Sequence, residues 1–235
     1  MNSMFYGCSQ LTSLNLSNFD TSNVETMNAM FHWCWALKSL DLSSFNTSRV
    51  NNMGSMFLGL PITSLDLSNF DTSNVNNMGS MFYGCTKLKL NLSNFNTSKV
   101  NNMNYMFYRC LELKSIDLSN FDTSKVNYMN GMFSGCENLI SLQLDNFITS
   151  RVYNMDYMFN ECKNLKLLDL SNFDTRLITN IRGMFSGCSN LISLDLSNFK
   201  TEKLNDISFL FSGCSKLVLP HTLKILVVYL MDAQH

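Results

Sequence analysis

The sequence predicts an α/β solenoid: a right-handed superhelix of about nine coils, with short parallel strands on one face and short helices on the other. Two observations carry that expectation. The pair Met-Phe stands at Met4-Phe5, Met30-Phe31, Met56-Phe57, Met81-Phe82, Met106-Phe107, Met132-Phe133, Met158-Phe159 and Met184-Phe185, with Leu210-Phe211 as a ninth copy, always 25 or 26 residues apart. A period of that size marks stacked units, each too small to bury its own apolar face. Within each unit, moreover, the apolar spacing switches from two residues to roughly three and a half. The repeat consumes residues 1–219, taken as one domain, and leaves residues 220–235 as an irregular tail or capping segment.

Each element follows from one stretch of the consensus L-x-x-L-x-L-S-N-F-D-T-S-x-V-x-x-M-x-x-M-F-x-G-C. Leu14-Asn15-Leu16-Ser17 and Leu40-Asp41-Leu42-Ser43 alternate apolar and polar, the signature of a half-buried strand. Further on, Val24, Met27, Met30, Phe31 and Cys34 fall on one face of a helix of about three turns, with Ser22 at its N-cap and Glu25 completing a capping box. Gly7, Gly59, Gly84, Gly135, Gly187 and Gly213 precede the Cys column and read as helix ends in a left-handed conformation. Trp33, Arg109 and Glu161 at the same site argue that a positive φ is not strictly required there.

Composition excludes several function classes. The net charge is -1, the pI is near 6.3 and 15% of residues are charged, so no basic field is present for nucleic acid. No apolar run reaches the ~18 residues of a membrane helix, the longest candidate being 225–231, so this segment is not expected to insert in a membrane. The chain opens in mid-repeat, with Met1-Asn2-Ser3-Met4-Phe5 aligned on Met27-Asn28-Ala29-Met30-Phe31, which reads as a fragment of a longer protein.

The strand and turn portion is similar to the leucine-rich repeat, although Phe takes the position where Asn is expected and Asn stands one residue earlier, as at Asn69 and Asn120. With the D-T-S-x-V-x-x-M and M-F-x-G-C blocks, the chain resembles the BspA-like leucine-rich repeat surface proteins in their mycoplasma lipoprotein-type variant. The tail run Leu223-Lys224-Ile225 is similar to a second BspA repeat type, or is an apolar strand covering the last coil. The resemblance implies a cell-surface or extracellular protein that binds host, matrix or other cell-surface proteins.

Candidate chemistry is sparse. The eight cysteines share one column, in which Leu60 stands once, and read as small buried apolar residues; no spacing suits zinc or another metal. The Met columns read as core. The Thr column, from Thr21 to Thr201, reads as turn hydroxyls serving local backbone groups. His32, His221 and His235 pair with no nucleophile or carboxylate at a recognisable spacing, so neither catalysis nor a cofactor is expected. The outward strand positions are more informative. Asp41, Asp66, Asp117, Asp169 and Asp195 stack there, broken by Asn15, Asn91 and Gln143, and form the candidate protein-binding face; a solvated polar face is the plainer reading of the same row. Arg49, Lys99, Lys125, Arg151 and Lys203 form a basic edge expected to pair with Asp residues across coils. Tyr6, Trp33, Trp35, Tyr83, Tyr105, Tyr108, Tyr128, Tyr153 and Tyr157 on the opposite side are either interface anchors or covers for neighbouring coils. The function expected is a non-enzymatic, adhesion-type binding domain; the alternative is a structural spacer presenting another domain.

Overall fold

The backbone of this chain is built from turns. The computed structural model describes residues 1–218, and among them no helix forms; strand-type pairing is confined to isolated parallel bridges. The expected α/β solenoid with helices along one face is therefore corrected to a stack of turn-built coils. The tail, residues 220–235, lies outside the described residues.

The M-x-x-M-F-x-x-C spacing that reads as helical has another cause. In the second coil, Met30 N–H donates to Met27 O and Cys34 N–H to Phe31 O, closing two four-residue turns end to end. Their third residues, Ala29 and Trp33, have φ of 53° and 59°, the signature of type II turns. The first and last residues of each turn, Met27, Met30, Phe31 and Cys34, are fully buried. Two tandem turns therefore place apolar residues at i, i+3, i+4 and i+7, the same series as one face of a helix. The rule extends round the coil, since turns from Leu16 to Phe19, Thr21 to Val24 and Cys34 to Leu37 also begin and end on inward-facing residues.

Positive φ recurs at both places in every coil. The glycine column is thus the third position of a turn rather than a helix end, and Trp33, Arg109 and Glu161 adopt the left-handed conformation after all, at 59°, 54° and 56°. Ser22, expected as a helix cap, instead donates its N–H to Asp20 Oδ1 at 2.9 Å in a local turn.

Coils are joined mainly on this side. Met27, Ala29, Phe31 and Trp33 donate their N–H groups to the carbonyls of Asn52, Gly54, Met56 and Leu58, at 2.8–3.0 Å, and the pattern repeats along the stack. A ladder of parallel bridges runs through the same stretch, from Thr26 and Asn52 to Asn180 and Asp206. On the leucine side, Leu40 and Leu42 are buried and Asp41 exposed, as the alternation requires, yet only scattered bonds such as Ile140 N–H to Lys114 O cross between coils.

Three side-chain columns complete the joining. The Thr123 hydroxyl donates to Ile148 O at 3.0 Å and accepts from Ile148 N–H at 2.7 Å, so it serves the next coil rather than its own turn. Equivalent pairs link Thr21 to Asn46, Thr72 to Asn96 and Thr149 to Asp174. Asn146 Nδ2 donates backwards to Leu118 O and Phe121 O, at 2.9 and 2.8 Å. That contact explains why the repeat carries Asn before its Phe. Ser44, the one departure from the column, keeps a single bond to Leu16 O. Cysteine thiols donate to Phe carbonyls of the preceding coil, as Cys136 does to Phe107 O at 3.0 Å, so the column selects a small apolar donor. Through the centre runs a stack of phenylalanines from Phe5 to Phe211, with ring centroids 5.6–6.1 Å apart and planes within 16° of parallel.

Candidate functional site: the acidic row and the tyrosine groove

The leucine-side alternation turns Asp41, Asp66, Asp117, Asp169 and Asp195 outward, and all five are exposed. Each also caps a turn: Oδ1 accepts the N–H two residues on, from Ser43, Ser68, Ser119, Ser171 and Ser197, at 2.9–3.0 Å. These hydrogen bonds hold every carboxyl below its ordinary range. Two adjacent pairs oppose that effect, because the charge of Asp41 raises Asp66 and that of Asp169 raises Asp195. Asn15 and Asn91 make the same turn bond without a charge, at 3.0 and 3.1 Å. The geometry of the row is therefore fixed by turn chemistry, and Asp in place of Asn adds only the charge.

Two shallow depressions open along this row. One, of about 570 Å³, is lined by Asp117, Gln143, Asp145 and Asn146 among others. The second, of about 520 Å³, holds both Asp169 and Asp195 beside Leu167, which is 63% exposed. Asp41 and Asp66 line neither of them.

The basic edge does not pair as expected. Arg49 and Lys99 hydrogen-bond the amide oxygens of Asn23 and Asn74 in the preceding coil, at 2.8 and 2.6 Å. Ion pairs among the described residues form elsewhere: Lys163 with Glu137 and Glu161, Arg176 with Asp174, and Arg182 with Asp206. For these two, the Asn at the same position of the preceding coil meets the cation.

The aromatic side divides in two. Tyr6, His32, Trp33 and Trp35 cluster near the start of the chain, with neighbouring ring centroids 4.6–6.0 Å apart. Burial holds the His32 imidazole below its ordinary pKa, and neither ring nitrogen finds a partner among the described residues. In mid-stack, a groove of about 440 Å³ is lined by Tyr83, Tyr105, Tyr108, Ser134, Tyr157 and Asn160. Sequence reasoning named these tyrosines without placing them together. The readable signal is an alternation in one column, Tyr105, Gly131, Tyr157, Gly183 and Phe209. Each tyrosine ring lies over the glycine of the following coil, Tyr105 over Gly131 and Tyr157 over Gly183.

Among the described residues no group of three His, Cys, Asp or Glu side chains is placed to hold a metal ion. The described cysteines are free thiols, and burial drives Cys85, Cys136 and Cys188 up to about 12. Among the described residues no helix is long and apolar enough to cross a membrane.

Fold and surface define a stacked-coil repeat protein that presents long rows of equivalent side chains. The chain belongs to the family described as "Mycoplasma protein of unknown function, DUF285", whose model matches residues 1–62, 61–143 and 136–222, in line with the resemblance read from its motifs. Among solved structures, it is similar to a leucine-rich repeat protein of T. pallidum at 23% identity, covering 75% of this chain and 74% of that one, with a TM-score of 0.43. It is also similar to a leucine-rich cell surface protein of Faecalibacterium prausnitzii, at 15% identity over 93% of this chain and 67% of that one, TM-score 0.43. A leucine-rich repeat protein of Eubacterium ventriosum is 16% identical over 79% of this chain and 64% of that one, with a TM-score of 0.38. No curated protein matches.

Proposed function

We propose that the chain is a non-enzymatic protein-binding repeat domain, displayed at a cell surface, whose acidic row meets a basic patch on another protein. The observation that supports this most directly is the pair of depressions that gathers Asp117 in one and Asp169 with Asp195 in the other. Like charges on adjacent coils repel, although the turn hydrogen bonds outweigh that repulsion and keep each carboxyl ionised. Cationic side chains from a partner relieve the repulsion. Such rim charges mainly accelerate association and set salt dependence. A surface location agrees with the kind of protein the motifs resemble.

The test uses Asp117→Asn combined with Asp169→Asn and Asp195→Asn. Asn keeps the turn bond, as Asn91 does, so the fold is preserved while the charge goes. The expected result is weaker capture of purified matrix and cell-surface proteins by the variant, with wild-type capture falling as salt rises. Capture that is equal for both chains and insensitive to salt refutes the reading.

A further inference from the structure

We infer that the tyrosine groove binds a proline-rich segment of a partner protein in the extended polyproline II conformation, with an acidic residue beside the proline run. This deepens, and rests on, the protein-binding reading. Tyr105 and Tyr157 stand two coils apart, about 10 Å at the usual spacing of about 4.8 Å between hydrogen-bonded chains. A polyproline II helix repeats every three residues, about 9.3 Å. Successive prolines on one side of such a ligand therefore meet successive tyrosines. Between them the lining residue is Ser134, buried and small, which leaves a floor over which the ligand can lie.

The polar chemistry also matches. Proline offers carbonyl acceptors and no backbone donor, so its receptor must supply donors. The groove does so with phenols. Tyr157 Oη accepts from Arg182 Nε at 2.8 Å, which leaves its own proton to donate. No hydrogen bond reaches the Tyr105 hydroxyl among the described residues. The four tyrosines are half-buried, and Tyr83 stacks on Tyr108 with centroids 4.3 Å apart, so the walls are already ordered before binding. No lining side chain is charged. At the rim, exposed Arg109 lies over Gly135 and makes no ion pair among the described residues, which supplies the cation for an acidic flank.

The test measures fluorescence anisotropy of the full chain with three labelled peptides: nonaproline, nonaproline preceded by one glutamate, and a Gly-Ser peptide of equal length. The glutamate-flanked peptide should bind best, plain nonaproline more weakly and Gly-Ser not at all. Tyr105→Ala and Tyr157→Ala should each weaken binding at least about 10-fold, as for anchoring aromatics. Because truncation could loosen the stack, Tyr105→Phe is the second variant: it keeps the ring over Gly131, and should cost about 3-fold through the hydroxyl alone. Arg109→Gln should abolish the preference for the glutamate-flanked peptide. Absence of binding up to about 1 mM, equal binding to folded tyrosine variants, or tyrosine-dependent binding of a β-linked oligosaccharide in place of the peptides overturns the assignment. Loss of capture by the acidic-row variant, alongside peptide failure, sinks the groove alone and leaves the wider binding reading standing.

Discussion

Replacing Thr123 by Val removes one hydroxyl and keeps the shape of the side chain. Thr123 is fully buried, and its oxygen both donates to and accepts from Ile148 of the next coil. Two hydrogen bonds at about 0.5–1.5 kcal/mol each give an expected loss of about 1–3 kcal/mol. The Ile148 side chain is 47% exposed, so water reaches part of the freed backbone and the lower half of that range is the better figure. For a chain of this size, 1 kcal/mol corresponds to about 2–4 °C in Tm. Thermal unfolding followed by circular dichroism reads the total. Because a stacked array can open locally, amide exchange at Ile148 reads the site itself, and it should accelerate. Thr123→Ser, which keeps the oxygen, should protect that amide as the wild type does. A Thr123→Val chain of unchanged Tm whose Ile148 amide stays protected would refute the role given to the hydroxyl.

Asn146→Ala should destabilise by about 1–3 kcal/mol through loss of the bonds to Leu118 O and Phe121 O, measured by urea unfolding. Reaction of the native chain with a thiol reagent at pH 8 should modify exposed Cys8 rapidly and leave Cys110, Cys136 and Cys162 untouched until unfolding. The row carboxyls are lowered in the folded state, so their stabilisation is complete above the ordinary aspartate value of about 3.9 and is lost as pH falls through the lower folded values. Converting all five to Asn should therefore flatten the stability profile below about pH 4. Asp156 runs the other way. Burial raises its pKa and Oδ1 has no partner among the described residues, so Asp156→Asn should raise Tm at pH 7 by a few degrees at most, about 2 °C.

The stack and its contents were legible in the sequence; the backbone conformation was not. Periodicity told which apolar residues face inward, and the buried columns of Leu, Phe, Val, Met and Cys agree with it, whereas the burial of the Thr column was not legible. It could not tell a helix from two type II turns in tandem, because both put apolar residues at i, i+3, i+4 and i+7. The mixed glycine column held the missing clue. A site that alternates Gly with Trp, Arg and Glu suggests a tolerant helix end, whereas the structure imposes positive φ on all of them. The Thr, Asn and Cys columns were visible as invariances, but their bonds span about one repeat and so join residues that no local pattern relates. The acidic row was found because period-2 alternation is a reliable guide to which way a side chain points. The groove is not legible because its tyrosine walls come from three coils and its floor from Ser134 of another.

The ring-over-glycine arrangement bears on how such a gene can change length. Recombination between near-identical units removes or duplicates whole repeats, and most junctions so created reproduce existing neighbours. Excising the one unit that carries Gly131 would instead set Tyr105 against Tyr157, two rings competing for space now occupied by one. Excising two units brings Tyr105 over Gly183 and restores a permitted neighbour. In this stretch, loss of the Gly131 unit alone is disfavoured, whereas loss of the Tyr105 unit, which sets Ser80 before Gly131, is tolerated.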